Sequence, residues 1–325
     1  MAALSSAPRE RLVADMRAGL GELERRASGH KLGAIGFCFG GGMVWLLLAS
    51  GEPRLAAAAP FYGPLPDNAD FSGSEAAVLG IYAEQDERVN ASREAATAAL
   101  ERAGLTHEIV TYPGANHAFF NDTGPRYHQD AATQAYAKVL EAGHDAIVAE
   151  DPDAEIILGG MFGTPLQGQK PAIAAWDYLE KLYKVKGAKK SFDGVAPHPY
   201  AAKFSQPGSQ RSVLGQIELF RDEIKDARDR NASLWFTELG WASGGPPNPL
   251  NRGEAGQAKR LKEAFKYFKR KRGRWNIETV DWYSWRDNST AGEALCEWCP
   301  KSGLFSESLE PKPSWNAFTK FTGGS

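Results

Sequence analysis

A cysteine between two glycines, an aspartate and a histidine, in that order along the chain, could together carry nucleophilic catalysis. Cys38 lies in Gly36-Phe-Cys-Phe-Gly40, where an apolar run gives way at once to a helix-like run from Met43 to Ala49. Glycines at 36 and 40 leave room for a sharp strand-to-helix turn that a Cβ would obstruct, and such a turn pushes the Cys38 side chain into the open. Backbone dipoles at the start of a helix favour the thiolate. That nucleophile needs a base, and the base needs an orienting acid. Asp86 falls just past the strand-like run Ala76 to Glu84. His117 sits in the loop Pro113-Gly-Ala-Asn-His117, after the run Thr106 to Tyr112. In a parallel sheet the C-terminal ends of the strands share one side, so the three side chains can converge there. Taken singly, a cysteine is usually a small buried apolar group, an aspartate after a strand a turn former, and a loop histidine merely solvated. The ordered set is far more specific than any member. Gly33-x-x-Gly36 does not have the spacing of a dinucleotide fingerprint.

The elements that must position these groups repeat along the chain. Four strands are predicted before residue 140, at Leu32–Phe37, Leu55–Tyr62, Ala76–Ala83 and Glu108–Tyr112. Four more are predicted after it, at Glu155–Gly160, Gly194–His198, Leu234–Thr237 and Val280–Trp285. Charge-rich helical segments lie between them, including Gly215–Arg230 and Glu254–Lys271. This alternation predicts a parallel α/β architecture. Asp67–Ser74 and Ala242–Gly253 read as loops.

The first half resembles the dienelactone hydrolase family of α/β-hydrolases. The resemblance is carried by Gly36-Phe-Cys-Phe-Gly-Gly41, Tyr82-Ala-Glu-Gln-Asp-Glu-Arg88, Tyr112-Pro-Gly-Ala-Asn-His-Ala-Phe-Phe-Asn-Asp122 and Arg126-Tyr-His128. It implies a Cys-His-Asp triad that opens an ester or lactone, with Cys38 as nucleophile, His117 as base and Asp86 as its orienting acid. It also implies an oxyanion donor in the Phe39 N–H and a substrate contact at Arg126. Members of that family have about half a domain before the cysteine strand, which supplies a second oxyanion N–H and a glutamate that controls the thiol. Here Met1 to His30 reads mostly as one amphipathic helix.

The second half resembles the C-terminal half of clan-A retaining glycoside hydrolases, the (β/α)8 barrels related to cellulases and β-xylosidases. Thr237-Glu-Leu-Gly-Trp241 resembles the nucleophile motif of the seventh strand, His198-Pro-Tyr200 the end of the sixth, and Trp285-Arg-Asp287 the end of the eighth. The resemblance implies Glu238 as a nucleophile, with His198, Tyr200 and Trp285 as substrate-binding residues. A retaining glycosidase needs a second carboxyl roughly 5 Å away. The family takes it from an Asn-Glu pair, and no such dipeptide occurs in this chain.

The expected class is therefore α/β, with eight parallel strands in βα units. Residues 1–140 are expected to form a dienelactone-hydrolase-like half-domain and residues 141–325 a glycoside-hydrolase-like half-barrel. Eight units in series can close as a (β/α)8-like barrel built from two half-folds, removing two exposed sheet edges. The alternative is two small abutting α/β lobes. The functional expectation is a hydrolase of esters or lactones. A glycosidase acting through Glu238 comes second, and a catalytically idle fusion of two half-domains third.

Composition sets the outer bounds. The chain has 325 residues, 42% of them hydrophobic, with 38 basic and 40 acidic side chains for a net charge of −2. That balance suits a small-molecule ester, lactone or carbohydrate as partner and argues against nucleic acid or a membrane. The cationic run Lys269-Arg-Lys-Arg272, with Arg274, suits the C-terminal end of a helix. Trp45-Leu-Leu-Leu48 is too short to span a bilayer. Cys296 and Cys299 could form a short disulfide loop or half of a metal site. No second Cys/His pair with zinc spacing accompanies them, so neither a metal nor a cofactor is expected. No secretory signal is read at the N-terminus, and cytoplasmic residence is the default expectation.

Overall fold

The computed structural model describes residues 7–122, 124–163, 173–206, 208–289 and 296–323. Its chain divides into two units, Met1–Val139 and Leu140–Ser325.

In the first unit, helix α1 (Arg9–Arg26) precedes strand β1 (Leu32–Phe37), helix α2 (Phe39–Ala49) and strand β2 (Leu55–Phe61). Strand β3 (Ala77–Ala83), a single turn α3 (Glu87–Asn90), helix α4 (Arg93–Ala103) and strand β4 (His107–Tyr112) follow. The strands form one parallel sheet in the order β1-β2-β3-β4. Its register aligns the strand tips, with Phe37 opposite Phe61, Phe61 opposite Ile81 and Ala83 opposite Tyr112. Residues just beyond those tips therefore leave the sheet along one edge. Helix α2 is apolar around most of its circumference, as a helix packed into a core must be. Trp45 and Leu48 are fully buried with Leu55, Val78 and Leu100, and Trp45 stacks on Phe71 at 5.7 Å. Each such side chain contributes roughly 1.5–3 kcal/mol by leaving water. The buried Glu52, in the turn after α2, accepts from Arg54 Nε at 2.7 Å and pairs with Arg17 of α1 at 3.3 Å.

Helix α5 (Gln129–Glu150) runs through the boundary between the units. In the second unit come strand β5 (Ile157–Phe162), helix α6 (Ala175–Lys184), strand β6 (Gly194–His198) and helix α7 (Val213–Asp226). Strand β7 (Ser233–Leu239), helix α8 (Gly253–Trp275), strand β8 (Ile277–Trp282) and helix α9 (Pro313–Thr322) complete it. These strands form a second parallel sheet, β5-β6-β7-β8. Its core includes Val195, Leu234, Leu261 and Phe236, the last stacked on Phe268 of α8 at 4.8 Å.

The expected eight parallel strands are present, but their ladders make two sheets of four, neither of them closed. Closure of all eight strands into one barrel, one of the two arrangements the sequence allows, is not shown by these ladders. Two strands are also displaced from the sequence reading. β5 starts two residues later than expected, and β8 spans Ile277–Trp282 instead of Val280–Trp285. The cause at β8 is local: Asn276 caps α8 in the left-handed conformation at φ 50°, so the chain reverses immediately and the strand starts early. Trp285 thereby falls beyond the strand, in the loop that follows.

The loop after β7 folds back on itself, with Ala242 bridged to Asn251. Cys296 and Cys299 are joined in a disulfide, so the half-metal-site alternative does not describe them. Among the described residues no helix is long and apolar enough to cross a membrane, and no group of three or more His, Cys, Asp or Glu could hold a metal.

Candidate active site

Cys38 occupies the N-cap of α2 with φ 56° and ψ −115°, a backbone conformation costly for any residue with a Cβ. Contacts on both sides hold it there. Its N–H donates to the Phe61 carbonyl at 3.0 Å, and its carbonyl accepts from Gly42 N–H at 3.1 Å. The turn is tight enough that a Cβ on Gly36 would strike the Gly40 carbonyl. Gly40 itself has open space where its Cβ would be, so the tight turn requires the glycine at 36 and not the one at 40. A second crossing was not anticipated from the sequence: Gly41 and Gly63 pass so closely that neither tolerates a Cβ.

His117 bridges the other two groups. Its Nε2 lies 2.9 Å from Cys38 Sγ, and its Nδ1 lies 2.5 Å from Asp86 Oδ2. Asp86 is 6% exposed and His117 12%. The other oxygen of Asp86 accepts from the Val89 N–H at 3.3 Å, capping α3. One carboxylate thus orients the imidazole while a helix end fixes the carboxylate. With Nδ1–H donating to Asp86, Nε2 faces the thiol as a proton acceptor. The Asn116 side chain accepts the His117 backbone N–H at 2.6 Å and fixes the loop.

Tyr62, the first residue after β2, is a part of the site that the sequence reading missed. It is 3% exposed, and its ring meets the His117 imidazole edge-on at 5.3 Å. Burial above all raises its hydroxyl well above the usual phenol range. The available signal was positional, since Tyr62 leaves the strand tip between those that carry Cys38 and Asp86. The Phe39 N–H lies in the first turn of α2, where helical amides lack intrahelical acceptors. The Phe39 ring is exposed. Arg126 is also exposed, in the segment before α5, and no ion pair draws it toward the thiol among the described residues.

The second unit gathers a different group. Glu238, near the end of β7, accepts from the Tyr200 hydroxyl at 2.9 Å and lies 3.4 Å from His198 Nδ1. The other nitrogen, His198 Nε2, meets Thr237 Oγ1 at 2.8 Å. Burial pushes His198 below the usual imidazole value, against the opposing pull of Glu238. Burial foremost, then the Glu238 charge, raises Tyr200. The Tyr200 ring rests on Trp298 at 4.6 Å. Trp285 is 59% exposed and packs on Phe305 and Trp315, with no recorded contact to Glu238 among the described residues.

Residues 1–143 match the profile of the Dienelactone hydrolase family. A putative carboxymethylenebutenolidase of Salmonella typhi is 37% identical over 123 residues, covering 34% of this chain and 45% of the relative. The chain thus spans about half the length of the curated relatives it matches. The solved structure of a putative dienelactone hydrolase from Klebsiella pneumoniae is 32% identical. It covers 42% of this chain and 62% of its own, with a TM-score of 0.37. A xylanase A mutant of P fluorescens subsp. cellulosa, solved with xylopentaose, is 16% identical. It covers 77% of this chain and 79% of its own, with a TM-score of 0.43.

Proposed function

We propose that this chain is a thiol-dependent hydrolase that cleaves an ester or lactone with Cys38 as nucleophile. The observation that carries this reading is the unbroken line of contacts Asp86–His117–Cys38, at 2.5 and 2.9 Å. The match of residues 1–143 to the Dienelactone hydrolase family supports it.

His117 takes the thiol proton and the Cys38 sulfur attacks the carbonyl carbon, forming a C–S bond. Negative charge moves to the carbonyl oxygen, where the Phe39 N–H can donate. Collapse breaks the C–O bond, and the leaving alkoxide takes the proton from His117. Water then attacks the thioester with His117 as general base. The acid is released and the thiol restored. Asp86 keeps the imidazole in the tautomer that both steps require and stabilises the imidazolium formed between them.

A second reading rests on the convergence of Tyr200 and His198 on Glu238. It makes the second unit a carbohydrate site with Glu238 as the nucleophile. Among the described residues the groups touching that carboxylate are a phenol and an imidazole, not the second carboxyl that a retaining mechanism uses. The ester reading is therefore preferred.

One assay separates the two. Hydrolysis of p-nitrophenyl acetate is expected to fall by about 10³-fold or more in Cys38→Ala and to be unchanged in Glu238→Gln. Equal rates for wild type and Cys38→Ala would remove the thiol from the mechanism. Release from an aryl β-glycoside that is lost in Glu238→Gln would favour the second reading.

A further inference from the structure

The N-terminal end of β7, opposite the end that carries Glu238, opens onto a cleft of about 460 Å³ between the C-terminal ends of α7 and α8. Its rim carries Lys225, Arg228, Arg230 and Arg274, all exposed. Its wall carries Arg221, half-buried, with the guanidinium 4.6 Å above the ring of the buried Trp275. Two carboxylates, Asp222 and Asp229, also line the cleft. Among the described residues neither forms an ion pair with any of the five cations. Asp229 is already engaged, accepting from the Tyr183 hydroxyl at 3.1 Å.

Cations commonly gather where helices end, because the terminal carbonyls attract them. That accounts for only part of this cluster. The last carbonyls after α7 are served by another residue, since Lys189 Nζ donates to the carbonyls of Ala227 and Arg228 at 3.3 Å each. The end of α8 is capped by the Asn276 N–H on the Arg272 carbonyl. Each helix end is worth about half a negative charge. With Lys189 counted beside the five lining cations, against Asp222, Asp229, Glu218 and two helix ends, a surplus of about two positive charges remains at the cleft. Arg228 adds a backbone observation: it sits at φ 55°, a left-handed conformation unusual for a residue with a long side chain, and it lies on this rim.

We propose that this cleft binds a compact oxyanion carrying at least two negative charges, of which a diphosphate group is the type. Guanidinium groups present paired N–H donors that match phosphate oxygens, and four of the five cations are arginines. The volume suits a small ligand. Burial, opposed by Asp222 and Glu218 and reinforced by Arg274, holds Arg221 below the usual guanidinium value. A bound anion relieves that desolvated charge. The site is independent of the thiol chemistry.

The test is calorimetric titration of the full chain with inorganic pyrophosphate at fixed ionic strength. A saturable single-site isotherm is expected. The double variant Arg230→Ala/Arg274→Ala should bind at least about tenfold more weakly, from the loss of charge-assisted hydrogen bonds. Lys266→Ala, exposed elsewhere on α8, should bind like wild type. Circular dichroism establishes that the variants are folded. The proposal is overturned by an absence of binding, by equal binding to the double variant, or by chloride reproducing the effect at matched ionic strength. An affinity that climbs with the length of an oligonucleotide would also overturn it, by assigning the surface to nucleic acid.

Discussion

Glu52 is a residue whose charge is decided by its neighbours. It is buried, and the hydrogen bond from Arg54 pulls its carboxyl down to about 2, against burial, with help from Arg17. Its folded value lies below the usual one, so its contribution to stability is complete above about pH 4.5 and disappears as the pH falls through about 2. Glu52→Gln should cost about 1–3 kcal/mol at neutral pH, measured by urea denaturation. The difference from wild type should shrink steadily below pH 4.5; a difference that does not change with pH would contradict this account. Asp86 shows the same economy of means at the proposed site, with one oxygen on His117 and the other on the cap of α3. Each carboxylate has one partner a few residues away, Arg54 or the Val89 N–H, and one distant in the chain, Arg17 or His117.

At the scale of elements, the entry into α2 governs the thiol. Two close crossings, Gly36 with Gly40 and Gly41 with Gly63, let the helix start directly on the strand tips. Gly63→Ala would drive a Cβ into the backbone of Gly41 and Gly42, where no flexible side chain can give way. It should destabilise the first unit by about 3 kcal/mol and abolish the proposed ester hydrolysis by shifting Cys38 away from His117. Gly40→Ala meets open space and lies inside the helix, so it should be neutral or stabilise by about 0.5–1 kcal/mol. Thermal melts of the two variants, read with Cys38 alkylation, check the pair. Equal tolerance of both would mean that the crossing does not set the elbow. The aligned strand tips do the rest, because a parallel register places Cys38, Tyr62 and Asp86 after successive strands on one edge of the sheet.

At the scale of the whole molecule, the chain consists of two units, each with its own four-stranded parallel sheet. The second unit is tied at its C-terminal side by a buried ion pair. Lys312 Nζ lies 2.7 Å from Asp287 Oδ1 and donates to Ser243 Oγ at 2.8 Å, while the same Asp287 oxygen accepts from the Gly303 N–H at 2.9 Å. One cluster thus joins the loop after β7, the segment after β8 and the residue preceding α9. Removing one partner strands the other charge in a buried setting. Asp287→Ala should therefore cost about 3–5 kcal/mol, whereas Asp287→Ala combined with Lys312→Met should recover part of that loss. Urea denaturation followed by tryptophan fluorescence measures both; a double variant no better than the single one would show that the pair is not coupled.

Much of this was legible in the sequence, for reasons that operate over short distances. Glycines around Cys38 dictate a tight turn whatever surrounds them. Apolar runs followed by polar loops reveal strands, and their order places Asp86 and His117 after successive tips. The misreadings also have local causes: the start of β8 was missed because a left-handed Asn276 ends one element and begins the next without a loop. Other features depended on segments distant in the chain. The contact of Tyr62 with His117 joins residues 62 and 117, the gathering of arginines joins the ends of two separate helices, and the bond between Lys312 and Asp287 spans 25 positions. The grouping of four strands on each side of residue 140 follows from the two resemblances, but apolar periodicity identifies a strand without saying which strand lies beside it, so the ladder order came only from the structure. Residue type and spacing settled what each segment could become; which groups became neighbours was settled only when backbone hydrogen bonds and packed side chains fixed one partner for each.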